Sequence, residues 1–343
     1  MTLHTQLPFI LKNISAQFRK AGLIGLVGAA LCLPSISHAQ SDFPNKPITM
    51  VIPFPPAGST DVLGRLLAQS MSKSLQQTVL VENTGGAGGT VGAARVSRSG
   101  GDGYTLLFHN MAHASAPALY AKLAYDPSGD FEPIGIVTEV PMILVARKDF
   151  PASNLQGVLA YAKERPGKVN FANAGVGATS NLCEALLQAT TNSKWLSVPY
   201  KGTGPALNDL LGGQVDFICD QSASTLSHLR AGTLKPIAVA TKSRLKSLPD
   251  VPTFSESGLP NFELTVWHGL YAPKGTPKAV VEKLNVALKN ALRDPELVQR
   301  YTDMSALIAK PEQATPEALR TFLKSDIERW KTALKAAGIQ PEN

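Results

Sequence analysis

The stretch Ile48-Thr-Met-Val-Ile-Pro-Phe-Pro-Pro-Ala-Gly-Ser-Thr-Asp61 carries the fold in outline. Ile48–Ile52 is a short apolar run of the kind that forms a buried strand, and Pro53-Phe-Pro-Pro56 ends it. After the loop, Val62, Leu63, Leu66, Leu67 and Met71 recur at helical spacing, with Ser59 or Thr60 placed to cap the helix. Strand, glycine-containing loop and helix form one unit, and the unit recurs. Val169–Ala172 leads through Asn173-Ala-Gly-Val-Gly-Ala-Thr-Ser180 into a helix from Asn181 to Thr190. Trp195–Val198 leads through Pro199-Tyr-Lys-Gly-Thr-Gly204 into another, with Pro205 in its first turn. Val79–Val81, Tyr104–Phe108, Met142–Ala146, Val215–Cys219 and Pro236–Ala240 read as further strands, and 277–293, 295–303 and 316–336 as a helical tail. Such alternation predicts an α/β protein, mostly parallel sheets with helices on both faces, and two sets of units predict two lobes.

Ligands in these sheets sit beyond the carboxyl ends of strands. The loops at 54–61 and 173–180 are both hydroxyl-rich and both precede a helix, so free N–H groups and the positive helix end make each a candidate anion site. A plain turn-and-cap role explains one such loop as well; one in each lobe favours a site between them. His113, four residues after His109, is a candidate ligand contact; a metal pair there lacks a third ligand nearby in sequence. Asp220 and Gln221, at a strand end, are placed either to line the cleft or to turn the chain into the next helix. Trp267 reads as a core aromatic or as a cleft wall.

Enzyme templates fail. The chain has no G-x-G-x-x-G, Walker lysine, H-E-x-x-H, C-x-x-C or G-x-S-x-G. No catalytic residue, metal or cofactor is expected.

Composition narrows the class further. The 343 residues are 44% hydrophobic and 17% charged, ordinary for a globular protein, and the net charge is +7. Lys12, Arg19 and Lys20 lie in residues 1–39, which hold no acid; without them the excess is +4, with no basic stripe for a nucleic acid. Those residues also carry an apolar run, Ala21–Leu33, and the small-residue site Ser37-His-Ala39, the three-part pattern of a secretory signal peptide cleaved after Ala39. The run spans about 20 Å as a helix, too short for a bilayer core. Export implies an oxidising compartment. Cys183 and Cys219 are then either a disulfide or two buried thiols.

Phe43-Pro-Asn-Lys-Pro-Ile48, Pro53–Asp61, Val81-Glu-Asn83, Gly85-Gly-Ala-Gly-Gly89, Asp102-Gly-Tyr-Thr-Leu106, Val198–Ala206, Leu248-Pro-Asp-Val-Pro-Thr253 and Ala272–Pro277 together resemble the Bug family. These are the periplasmic substrate-binding proteins of tripartite tricarboxylate transporters. The resemblance runs in order from about residue 43 to the C-terminus. It implies a two-lobed periplasmic binding protein of the Venus flytrap, type II-like kind, with lobe 1 formed by 40–145 and 265–343 and lobe 2 by 146–264. It implies a periplasmic monomer that holds a small organic carboxylate and delivers it to a large and a small integral-membrane subunit. The clamp it implies is Pro56, Ala57, Gly58, Ser59 and Thr60 with Gly175, Val176, Gly177, Ala178, Thr179 and Ser180, while Asp61 orders the first loop. Where many members follow the second loop with His-Leu-Ala, this chain has Asn181-Leu-Cys183, and His113-Ala-Ser-Ala-Pro117 replaces the frequent His-x-x-Asn-Pro. The partner of the ligand's distal end therefore has no template. A sensory receptor for a membrane kinase, or a periplasmic enzyme, would be the alternatives.

The signal pattern sets a first expectation. N-terminal mass analysis of exported protein should give a chain beginning at Gln40; retention of residues 1–39 would contradict it.

Overall fold

The computed structural model describes residues 43–341, so the signal pattern, Cys32 and the cleavage site lie outside the described residues. Strands β1 (Ile48–Ile52), β2 (Val79–Asn83) and β3 (Thr105–Asn110) pair in parallel, with β1 between the other two. Each is followed by a helix or helical turn, as the alternation predicts: α1 (Ser59–Leu75) after β1, a short 3-10 turn (Ala87–Gly89) and α2 (Thr90–Ser97) after β2, and α3 (Ala112–Leu119) after β3. On α1 the fully buried Leu63, Leu67 and Met71 lie on the face laid against the sheet. Burying each such side chain contributes about 1.5–3 kcal/mol.

The second set is built the same way. Strands β5 (Asn170–Asn173), β6 (Leu196–Pro199) and β7 (Phe217–Gln221) pair in parallel, with β5 central. They feed α5 (Thr179–Thr191), α6 (Thr203–Leu211) and α7 (Ser222–Arg230), while α4 (Leu155–Glu164) precedes β5. Cys183 on α5 and Cys219 on β7 are joined by a disulfide, with Cα atoms 6.1 Å apart.

One long strand connects the two sets. β4 (Phe131–Arg147) pairs antiparallel with β9 (Thr265–Pro273) over residues 131–141, then runs between β7 and β8 (Leu234–Val239) from residue 142. Of these segments the sequence predicts only Met142–Ala146 as strand, and none at 131–141 or 265–273. Pro133, Gly135 and Pro141 punctuate the run, and proline inside an apolar segment argues against a central strand. Here a register shift at 133–135 absorbs Pro133 and Gly135, and Pro141 sits at the last pair with β9, just before β4 changes partners. β9 completes the first sheet beside β3, and the short β10 (Leu307–Ile308) adds to β4. The return passage is held by Leu264 N–H to Ala240 O (2.9 Å) and Met142 N–H to Leu264 O (3.3 Å).

The tail forms α8 (Lys278–Ala291), α9 (Pro295–Asp303) and α10 (Pro316–Ala336). Buried Trp267 is core, donating its indole N–H to Asp326 of α10 at 2.8 Å. No helix among the described residues is long and apolar enough to cross a membrane.

Candidate functional site

The carboxyl ends of β1 and β5 face each other, and the loops beyond them meet. The sequence predicts Ser59 or Thr60 as the cap of α1, but the residue preceding the helix is Gly58 (φ −81°), and no side chain caps the end. Ser59 and Thr60 are the first helical residues. Their hydroxyls point elsewhere: Thr60 Oγ1 accepts from Asn110 Nδ2 (3.0 Å) and lies 3.2 Å from His268 Nε2, while Ser59 Oγ is buried without a partner among the described residues. At α5 the preceding residue is Ala178, again without a side-chain cap. The same holds for α6 after Gly202 and α7 after Gln221. Side-chain caps occur at α4, α9 and α10, from Asn154, Asp294 and Thr315, while α2, α3 and α8 also lack one, so what sets the cleft helices apart is that their uncapped ends converge. A cap satisfies donors that a ligand could otherwise use, so its omission leaves them for the cleft.

Other side chains hold these loops from behind. Asp61 Oδ2 accepts from Ala57 N–H (2.9 Å) and Arg65 Nε (3.0 Å), and its Oδ1 accepts from Asn83 Nδ2 (2.8 Å). This fixes Ala57 in a left-handed conformation (φ 65°) that β-carbon sterics disfavour. The left-handed residue of the first loop is thus Ala57 and not Gly58. In the second loop Asn173 Oδ1 accepts from Gly175 N–H (2.9 Å), Ser180 Oγ from Ala174 N–H (2.8 Å) and Asn181 Oδ1 from Gly177 N–H (3.2 Å). Gly175 and Gly177 (φ 104° and 76°) use the freedom that only glycine has there. Asn173 is gripped in turn by Glu184 Oε2 at 2.7 Å, a carboxylate that burial pushes up to about 7.

The predicted residues therefore divide. Gly58, Ser59, Thr60, Ala178 and Thr179 line a small enclosed space of about 20 Å³ between the helix ends, room for about one water. Pro56, Gly175 and Val176 border a wider opening of about 740 Å³ beside it. Ala57, Gly177 and Ser180 line neither; the Ala57 and Gly177 N–H groups and the Ser180 hydroxyl are bonded inside the loops. Asp220 is buried behind the site; burial pushes it up to about 6, and its carboxylate accepts from the Ser224 and Thr203 hydroxyls. Its contribution is to hold Thr203.

His113 lies in the core, apart from both spaces, stacked on Tyr125 (5.5 Å) and packed by Phe131 and Tyr271. Burial drives it down to about 3. His109 is also driven well down, by burial and by its histidine neighbours, and no metal-holding group of three ligands occurs among the described residues.

The enclosed space has members that the sequence reading did not select. Gly202 and Thr203 bring the start of α6 to it, and Asn110 at the end of β3 borders it. Gln221, one of the two strand-end candidates, also lines it and presents a buried Oε1 without a partner among the described residues. Gly202-Thr-Gly204 had the right signal, the third strand–loop–helix junction of the chain. The N–H groups of Ser59, Thr60, Thr179, Ser180 and Thr203 have no hydrogen-bond partner among the described residues. No charged side chain lines the space. Its positive potential is that of aligned peptide dipoles, suited to an anion.

A profile described as "Tripartite tricarboxylate transporter family receptor" matches residues 63–339. The chain belongs to the tripartite tricarboxylate transporter receptor family. It is therefore related to binding proteins rather than to enzymes, as the failed catalytic templates lead one to expect. Among solved receptors, the periplasmic binding protein BugD is 44% identical with a TM-score of 0.86, over 88% of this chain and all of that one. MatC from Rhodopseudomonas palustris with bound malate is 41% identical (TM-score 0.82), over 85% of this chain and all of that one. A third receptor, from R. palustris with adipate, is 30% identical (TM-score 0.83), over 88% and 100% respectively. The two-lobed receptor fold expected from the resemblance is the fold of these neighbours.

The position of His113 in this receptor generates a pH prediction. Its depressed folded value means that it contributes stability above its ordinary value of 6.5, lost as pH falls towards about 3. Replacing it by Phe in its aromatic cage should flatten the acid limb by up to one proton, about 1.4 kcal/mol per pH unit. Urea unfolding of wild type and His113→Phe from pH 7 to pH 4 is the measurement. An unchanged slope would contradict the assignment.

Proposed function

We propose that this receptor captures a small organic carboxylate in the periplasm and delivers it to the large and small integral-membrane subunits of a tripartite tricarboxylate-type transporter. Residues 40–145 with 265–343 form one lobe and 146–264 the other, and the ligand is enclosed as they close. The observation that carries this reading is the convergence of uncapped helix N-termini on a space with no charged lining side chain. An anion there meets fixed N–H donors from α1 and α5 and requires no lysine or arginine. The malate and adipate bound by two related receptors support a carboxylate. The wider opening of about 740 Å³ beside this space has room for the rest of a diacid. A micromolar Kd amounts to about −8 kcal/mol, within reach of one or two charge-assisted carboxylate sites.

A thermal-shift screen over malate, adipate, citrate and benzoate identifies the class. A ligand at a hundred times its Kd stabilises by about 2.7 kcal/mol. With the best acid, calorimetry should show Ser59→Ala and Thr179→Ala each weakening binding by about 1.5–3 kcal/mol, one hydrogen bond to a charged group. Gly177→Val should be worse, because φ is 76° there and a Cβ would lie 2.6 Å from the Tyr120 hydroxyl. Gly58→Val, at an ordinary φ, should be milder than Gly177→Val. Affinities within twofold of wild type in all four would place the ligand elsewhere.

A further inference from the structure

The two sides of the cleft touch each other directly at the border of the wider opening. Tyr120, at the end of α3, donates its hydroxyl to Val176 O of the second loop at 3.1 Å. Beside it the backbones press together with no room for side chains. A Cβ on Gly88 would lie 2.8 Å from Gly177 C, and one on Gly177 would lie 2.6 Å from Tyr120 Oη. On the other flank, a Cβ on Gly202 would lie 2.7 Å from Pro55 Cγ. Gly88 and Tyr120 come from the half of the chain that carries β1–β3; Gly177 and Val176 belong to the loop after β5.

We infer that Tyr120 and Gly88 form a latch in which the hydroxyl of one side grips the ligand loop of the other, so that the protein's own contacts help to close the cleft. The inference rests on the proposed reading of the cleft as one that closes over its ligand. Physically, a receptor whose competent state is only partly populated binds with its intrinsic Kd divided by the populated fraction. Contacts made only in the closed state raise that fraction and with it the affinity for any ligand the cleft accepts. They also lengthen residence, since the latch must break before the ligand leaves.

This role differs from that of a ligand contact in one measurable respect. Tyr120 and Gly88 border the wider opening and not the space between the helix ends, so a latch is told from a ligand contact by the ligand-free protein, whose closure it changes with no acid present. Gly88 has φ 61°, where Ala is strained, but that strain is the same open or closed and cancels from binding. The added methyl, in contrast, collides with Gly177 only when the sides meet.

The test uses Tyr120→Phe and Gly88→Ala with malate and adipate as probes, in calorimetry and stopped-flow dissociation, and small-angle scattering of each ligand-free protein. Tyr120→Phe should weaken both acids, about 2- to 10-fold, mostly through faster dissociation. Gly88→Ala should weaken both by more than 10-fold. Ligand-free wild type should scatter as more compact than either variant. Equal affinity in wild type and Tyr120→Phe, or ligand-free scattering that is the same in wild type and both variants, would overturn the latch. If neither acid binds wild type, it is the carboxylate reading that fails, and the scattering still decides the latch: identical curves for all three proteins would end it.

Discussion

Everything at the cleft depends on peptide N–H groups that the chain declines to satisfy. A helix leaves its first donors without intrahelical partners, and the ordinary remedy is a Ser, Thr, Asn or Asp side chain just before the first turn. This chain applies that remedy at Asn154, Asp294 and Thr315, though not at the starts of α2, α3 and α8. At Gly58, Ala178 and Gly202 it does not. The three ends point at one another across a space from which charged side chains are missing, and the positive ends of their dipoles add there.

Such an arrangement is costly without a ligand, and the surroundings hold it in place. Asp61 ties the first loop to Asn83 and Arg65; Glu184 and Asn173 tie the second; Asp220 holds Thr203 at the start of α6. The disulfide from Cys183 to Cys219 links the helix that follows the second loop to the strand that ends in Gln221. Behind the loops, β4 and β9 lie side by side and carry the chain from one set of strands to the other. The same groups explain the titration behaviour. Carboxylates withdrawn from water are pushed up, and the histidines behind β3 are kept neutral.

The loop–helix junctions were legible because hydrophobic period, glycine and hydroxyl residues coincide there, and the helical tail was legible to within two residues. Less visible was which donors remain free. Gly175 and Gly177 look like anion-binding backbone, yet their N–H groups go to Asn173 and Asn181, a choice set by side-chain geometry and not by spacing. His113 resembled a ligand contact because a lone polar residue follows a strand end; only the rings of Tyr125, Phe131 and Tyr271 around it give it a place in the core. The strand at 131–141 stayed hidden behind its prolines. Tyr120 has no local signal at all, because its partner Val176 is 56 residues away.

The central claim is that backbone dipoles, and not a charged side chain, hold a ligand carboxylate. Calorimetric titration of the receptor with malate and with malate dimethyl ester tests it most directly. The ester keeps the carbon skeleton and removes the charge that the helix ends attract. The account predicts that malate binds and that the diester loses at least a hundredfold in affinity. A diester that binds within a few-fold of malate would contradict it.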